Sequence, residues 1–163
     1  EINELYNHPK VKTMVCLTKG EGFGRPLLEF SLVDKPIITT GWSGHIDFLK
    51  EGNVGFASGE LEEVHGSAQA PNMLLKEAKW FKPNLGDVKY LFNDNFKNYK
   101  DWITKAKRQG EISRNEFSYE EMVKQITEIL DFNLPSLPKK MELKLPTMSK
   151  IKMPKKPTKL KKV

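Results

Sequence analysis

The segment Lys19-Gly-Glu-Gly-Phe-Gly-Arg-Pro-Leu-Leu-Glu29 leaves its surroundings few ways to fold. Before it, Thr13-Met-Val-Cys-Leu-Thr18 is a short, continuous apolar run ended by a glycine loop, which predicts a buried strand. After it, Pro26 stands where a helix would begin, and Leu27, Leu28, Phe30, Leu32 and Val33 recur at helical spacing. A proline in the first helical turn removes only an N–H that has no intrahelical partner. The order is therefore strand, glycine loop, helix. Gly20, Gly22 and Gly24 can take positive φ and let a ligand approach bare backbone. The N–H groups and the helix dipole then suit an anion, most naturally a phosphate. Glu21 and Glu29 flank that site. Carboxylates suit a phosphate poorly but accept hydrogen bonds from neutral hydroxyls, such as those of a ribose or a sugar.

The rest of the chain extends this pattern. Residues 1–12 read as the end of a helix (Ile2, Leu5, Tyr6) with a turn at His8-Pro9. Ile37-Ile38-Thr39-Thr40 is a second buried strand, Gly41 to Gly44 a second loop, His45 to Lys50 a short helix, and Val54 to Ala57 a third strand. Strands alternating with short helices predict a parallel sheet in a doubly wound α/β domain, whose ligands bind beyond the carboxyl ends of the strands. Residues 59–70 read as polar loop, and the apolar group Met73, Leu74, Leu75, Trp80 and Phe81 has no assignable form. Leu85, Val88, Leu91, Phe92 and Phe96 mark an amphipathic helix. Tyr99, Trp102, Ile103 and Ala106 continue a helix. A last helix over 116–132 begins with the capping box Ser118/Glu121 and carries a buried stripe of Met122, Val123, Ile126, Ile129 and Leu130.

Charge divides the chain in two. The net charge is +6, yet residues 133–163 hold ten lysines and one glutamate, which leaves the other 132 residues at −3. Pro135, Pro138, Pro146, Pro154 and Pro157 break any regular element there, so a disordered tail follows a domain over 1–132. Such a tail either solubilises the chain or meets an anionic partner. It lacks interleaved aromatics for base stacking, which disfavours nucleic acid. Cys16 is the single cysteine, cannot form an internal disulfide, and fits a reducing, cytoplasmic setting. His8, His45 and His65 are too scattered for a metal site. With Glu1 first and no long apolar span, the chain reads as the C-terminal part of a longer soluble protein.

The glycine segment, taken with its neighbours, is similar to a known family. Glu21 and Glu29 are separated by seven residues, and Glu-Gly-Phe-Gly-x-Pro-Leu-Leu-Glu resembles the signature of retaining glycosyltransferases with the GT-B fold, family 4. Lys35-Pro-Ile-Ile-Thr-Thr-Gly-Trp-Ser-Gly-His-Ile-Asp-Phe-Leu49 resembles the family's Lys-Pro-Val-Ile strand and its Gly-Gly-x-x-Glu loop. Glu51-Gly-Asn-Val-Gly-Phe56 resembles its acidic-Gly-x-x-Gly-hydrophobic turn. The blocks keep the family's order over about residues 11–58.

The resemblance implies the donor-binding, Rossmann-like C-terminal half of a GT-B enzyme, with the terminal helices as its closing segment. The family transfers a sugar from a nucleotide-sugar donor with retention, without an essential metal or cofactor. Glu29 would accept from the ribose hydroxyls. Glu21 would hold the donor sugar as the catalytic carboxylate. Gly20, Gly22, Phe23 and Gly24 would present backbone to sugar and diphosphate, and Arg25 would pair with a phosphate or face water. Ser43 and Gly44 stand where the family has paired glycines, and Asp47 where it has Glu, either touching the ligand or holding the loop. Trp42 and His45 border the loop as substrate contacts or, for Trp42, as a packing wedge. The family's basic clamp and acceptor site lie upstream, so this part alone would bind donor weakly and catalyse nothing; the acceptor is unknown. Two alternatives stay open: a GT-B epimerase, and a non-catalytic module attached through its basic tail.

Overall fold

In a computed structural model, residues 1–69 and 77–134 are described. Helix α1 (Ile2–Asn7) leads to β1 (Met14–Cys16), then α2 (Arg25–Ser31), β2 (Ile37–Thr40), a 3₁₀ turn at Gly44–Asp47 and β3 (Gly55–Ala57). These three strands form one parallel sheet in the order β1-β2-β3, with Met14 opposite Ile37 and Ile38 opposite Gly55. The domain is α/β, and its parallel sheet with connecting helices is compatible with a Rossmann-like arrangement. Parallel pairing forces each connection across the sheet, so the turns after β1 and β2 leave from the same carboxyl edge.

β2 lies in the middle and is buried throughout, as its apolar run and two threonines predict. β1 is shorter than residues 13–18 and only partly buried, with Val15 42% exposed. It is an edge strand of this sheet and has a covered side only at Met14 and Cys16. The core gathers Leu27 and Phe30 of α2, Ile37 of β2, and Phe48 and Leu49 after the 3₁₀ turn. Each such side chain contributes about 1.5–3 kcal/mol by leaving water.

Residues 59–70 are not a plain loop. β4 (Gly59–Glu63) pairs antiparallel with β5 (Lys79–Pro83), Leu61 opposite Phe81 and Glu62 opposite Trp80. Five mostly charged residues give no apolar alternation, which hides the strand; Phe81 on the partner provides the buried anchor. Met73 to Leu75 fall outside the described residues.

α3 (Leu85–Lys97) and α4 (Tyr99–Glu116) break at Asn98. Asn84 caps α3, its Oδ1 accepting from Gly86 N–H at 2.8 Å. The expected apolar stripe of α3 is narrower than its sequence: Val88 is buried, while Leu85, Phe92 and Phe96 are exposed. α4 carries the less obvious packing. Ser113 Oγ lies 2.8 Å from Ser31 Oγ of α2, and a Cβ on Gly110 would stand 2.8 Å from the Ser31 carbonyl oxygen. α5 (Tyr119–Asn133) starts on the Ser118 hydroxyl, which accepts from Glu121 N–H at 3.1 Å. Its stripe is not buried: Met122, Val123, Ile126, Ile129 and Leu130 are all exposed, because no described element packs broadly on that face. The tail reading lies outside the described residues from 135 onward.

Candidate functional site

The loops after β1 and β2 leave neighbouring strand ends, and they are joined through one peptide. Ser43 Oγ donates to the Glu21 carbonyl at 2.6 Å and accepts from Glu21 N–H at 2.9 Å. Gly44 N–H adds a second bond to the same carbonyl, at 3.1 Å. The approach is so close that a Cβ on Gly44 would lie 1.9 Å from the Gly22 oxygen. Ser43 itself has φ +94° and ψ −175°, a region that suits glycine. Strain of that kind costs about 1–3 kcal/mol and persists only where the surroundings impose it. Here the two hydroxyl bonds do so.

Gly24 is the loop glycine that needs positive φ. It has φ +83° at the N-cap of α2, and a Cβ there would meet His45 Cβ at 3.0 Å. Gly20 and Gly22 do not use the positive φ available to them, and the space beside Gly22 is open. Phe23 anchors the loop from outside, its ring 5.0 Å from Phe48 and 6.2 Å from Phe117 at the end of α4.

The two glutamates differ. Glu21 is half-buried, and its carboxylate has no hydrogen bond or ion pair among the described residues. It lies close enough to the Cys16 thiol to add its charge to burial, the main cause that raises the thiol's pKa. Glu29 instead pairs with Arg25 Nε at 2.9 Å, one turn back on an exposed face. Arg25 therefore neither faces water alone nor stands free for a phosphate. Glu29 and Arg25 line a cavity of about 540 Å³ with Tyr6 and Asn7 of α1, and Glu21 is not among its walls. The structure joins Glu21 to Ser43 and Gly44, and sets Glu29 apart from them.

Two buried polar atoms at these loops have no nitrogen or oxygen partner among the described residues. His45 is fully buried; its Nε2 lies 2.7 Å from the Thr40 carbonyl, which can only accept. That contact puts the proton on Nε2 and leaves Nδ1 bare and unpaired. Thr18 Oγ1, where β1 meets the loop, is the second, with the Cys16 thiol beside it as a weak sulfur partner. Buried polar atoms are normally satisfied, so these two are exceptions beside one pair of loops.

Trp42 is half-buried and packs against β5, lying parallel to Phe81 at 6.0 Å between ring centres. Asp47 is exposed, and its carboxylate neither holds the loop nor meets another described residue. Sequence reasoning missed the hairpin's share in the site. Phe81 N–H donates to the Lys19 carbonyl at 2.9 Å, so β5 braces the start of the glycine loop. It also missed Gln109, buried in α4, whose amide donates to the Phe48 carbonyl at 2.8 Å and accepts from Lys50 N–H at 2.8 Å. A polar residue inside an amphipathic helix was the available signal.

Among the described residues, no group of three His, Cys, Asp or Glu could hold a metal ion, and no helix is long and apolar enough to cross a membrane. What fold and loops together define is an α/β domain with two joined loops at the carboxyl edge of a parallel sheet. The chain matches no protein-family model, no curated protein and no solved structure in comparison.

Proposed function

We propose that this chain is the donor-binding half of a retaining GT-B glycosyltransferase of the family 4 type, built as a doubly wound domain. The observation that carries the reading is the joined pair of loops. The Glu-Gly-Phe-Gly segment and the Ser43-Gly44 loop meet at the carboxyl ends of adjacent parallel strands, where such folds take ligands.

In this reading the donor's diphosphate lies against the backbone of Gly20, Gly22, Phe23 and Gly24. N–H groups held in place before the reaction stabilise charge on the departing diphosphate. Glu21, already fixed through its peptide by Ser43, holds the donor sugar. Glu29 leaves Arg25 and accepts from the ribose; an exposed pair of this kind is worth only about 0.3–0.5 kcal/mol, so the exchange is cheap. The reaction needs neither metal nor cofactor. The residues name neither sugar, base nor acceptor, and the lysine-rich tail remains a candidate contact for an anionic partner.

The non-catalytic alternative has one observation in its favour, the Arg25–Glu29 pair set in a cavity apart from Glu21. Calorimetry with UDP, GDP, ADP and TDP separates the two. Binding of one of them, weakened in Glu29→Ala, supports the donor site. Absence of binding to all four in the full-length protein leaves the non-catalytic module.

A further inference from the structure

Lys19 stands at the entrance to the glycine loop, and its two ends are held differently. Its carbonyl is tied to β5 by the Phe81 N–H. Its ammonium, on an exposed residue, lies 3.2 Å from the centre of the Trp80 ring. The indole is fixed from its other end: Nε1–H donates to Glu62 at 3.0 Å, and Glu62 pairs with Lys82 at 3.0 Å. The Lys82 ammonium, aided by the Trp80 N–H, holds the Glu62 carboxyl below the usual range, so this brace stays ionised.

We propose that Lys19 is an exchangeable phosphate ligand of the glycine loop: when a nucleoside diphosphate binds, its ammonium leaves the Trp80 ring and pairs with the phosphate. The inference rests on the donor-site reading above. Geometry supports it, because Lys19 adjoins Gly20 and its backbone is already anchored, so only side-chain torsions change. Electrostatics supports it too. The cations of the segment 19–25 are Lys19 and Arg25. In the free protein Arg25 is paired with Glu29 one turn into α2, whereas Lys19 sits at the start of the loop with no carboxylate of the described residues within ion-pair distance. The Trp80 ring is half-buried and the Glu62 carboxylate behind it also attracts Lys19. Yet a cation over a ring is held more weakly than one donating to a phosphate oxygen, so the exchange runs toward the ligand. Trp80 then serves as the resting place that keeps the ammonium near the loop.

The test uses the full chain with UDP, GDP, ADP and TDP, read by calorimetry and by tryptophan emission. Saturation with the diphosphate that binds should change the Trp80 share of the emission, taken as the difference between the parent and Trp80→Leu, and Lys19→Gln should remove that share of the change. Lys19→Gln should raise Kd about tenfold, the loss of one charge-assisted bond, while Lys19→Arg retains affinity. Trp80→Leu should bind the diphosphate at least as tightly as the parent, because the ammonium no longer has to leave a ring. The matching nucleoside, without phosphate, should not distinguish Lys19 from Gln. Equal diphosphate affinity in parent and Lys19→Gln overturns the inference and leaves the donor site standing. Weaker binding in a folded Trp80→Leu also overturns it, since the ring would then be a ligand contact. Failure of the parent to bind all four diphosphates overturns both. Melting temperatures confirm that the Lys19 and the half-buried Trp80 variants fold.

Discussion

Gly44 lies under Gly22 with no room for a side chain: a Cβ would stand 1.9 Å from the Gly22 carbonyl oxygen, whereas a Cβ on Gly22 would meet nothing. The obstructing atom is backbone, so it cannot rotate away. Gly44→Ala must push the two loops apart and break the Gly44–Glu21 bond. Overpacking of this sort costs about 1–3 kcal/mol. A lower melting temperature and weaker nucleoside diphosphate binding are expected for Gly44→Ala, and an unchanged melting temperature for Gly22→Ala. Equal melting temperatures for the two variants would contradict the joined loops.

Ser43 makes a sharper test, because strain and hydrogen bonding act there in opposite directions. Ser43→Gly relieves about 1–3 kcal/mol of backbone strain and loses two bonds worth about 0.5–1.5 kcal/mol each, so the effects nearly cancel. Ser43→Ala keeps the strain and loses both bonds. Urea unfolding should therefore rank parent and Ser43→Gly close together, with Ser43→Ala about 1–3 kcal/mol below them. Alanine and glycine variants of equal stability would show that the positive φ carries no strain.

These two residues also mark how far the sequence could be read. The strand, glycine loop and helix were legible because Pro26, the glycines and the 3.6-residue spacing after them all point one way. The second strand and loop followed for the same reason. That Ser43 takes a glycine's conformation was not legible, since it depends on a hydroxyl reaching Glu21 across 22 positions. β4 was hidden because its charged residues pair with β5 across a long connection, and local pattern carries no sign of that partner. The α5 stripe was read correctly as apolar and wrongly as buried. Periodicity identifies a face but not what covers it.

Trp102 and Asp94 give a prediction in pH. Asp94 accepts from Trp102 Nε1–H at 2.8 Å and from Asn98 Nδ2 at 2.6 Å, and these bonds, Trp102 first, hold its carboxyl below the usual aspartate range. A carboxyl whose folded pKa is depressed binds fewer protons folded than unfolded. Its contribution is complete above the unfolded value, about 3.9, and is lost as pH falls below that through the folded value. Asp94→Asn should therefore lower the melting temperature at pH 7 and show a shallower decline than the parent as pH drops below about 4. Parallel acid declines would mean that the bond does not bias the carboxylate.

The last prediction concerns Glu21 and Glu29, which the structure holds in different company. Glu29 is proposed to meet the ribose, which is unchanged during transfer. Its loss weakens ground state and transition state alike, so Glu29→Ala should mainly raise the donor's KM. Glu21 is proposed to meet the sugar, whose ring gains charge as the bond breaks, so Glu21→Ala should mainly lower kcat. A lost hydrogen bond to a charged group is worth about 1.5–3 kcal/mol, roughly ten- to a hundredfold in either parameter. Arg25 adds a control that the sequence could not offer. Because Arg25 occupies the Glu29 carboxylate in the free protein, Arg25→Ala releases it and should leave nucleoside diphosphate affinity unchanged or up to about twofold tighter, given the small worth of an exposed pair. Calorimetry on the full-length protein checks each step. Affinity for the diphosphate should fall in Glu29→Ala and hold in Glu21→Ala, since that ligand carries the ribose and lacks the sugar. The reverse order would exchange the two roles, and a large loss in Arg25→Ala would make the guanidinium a phosphate ligand and Lys19 dispensable.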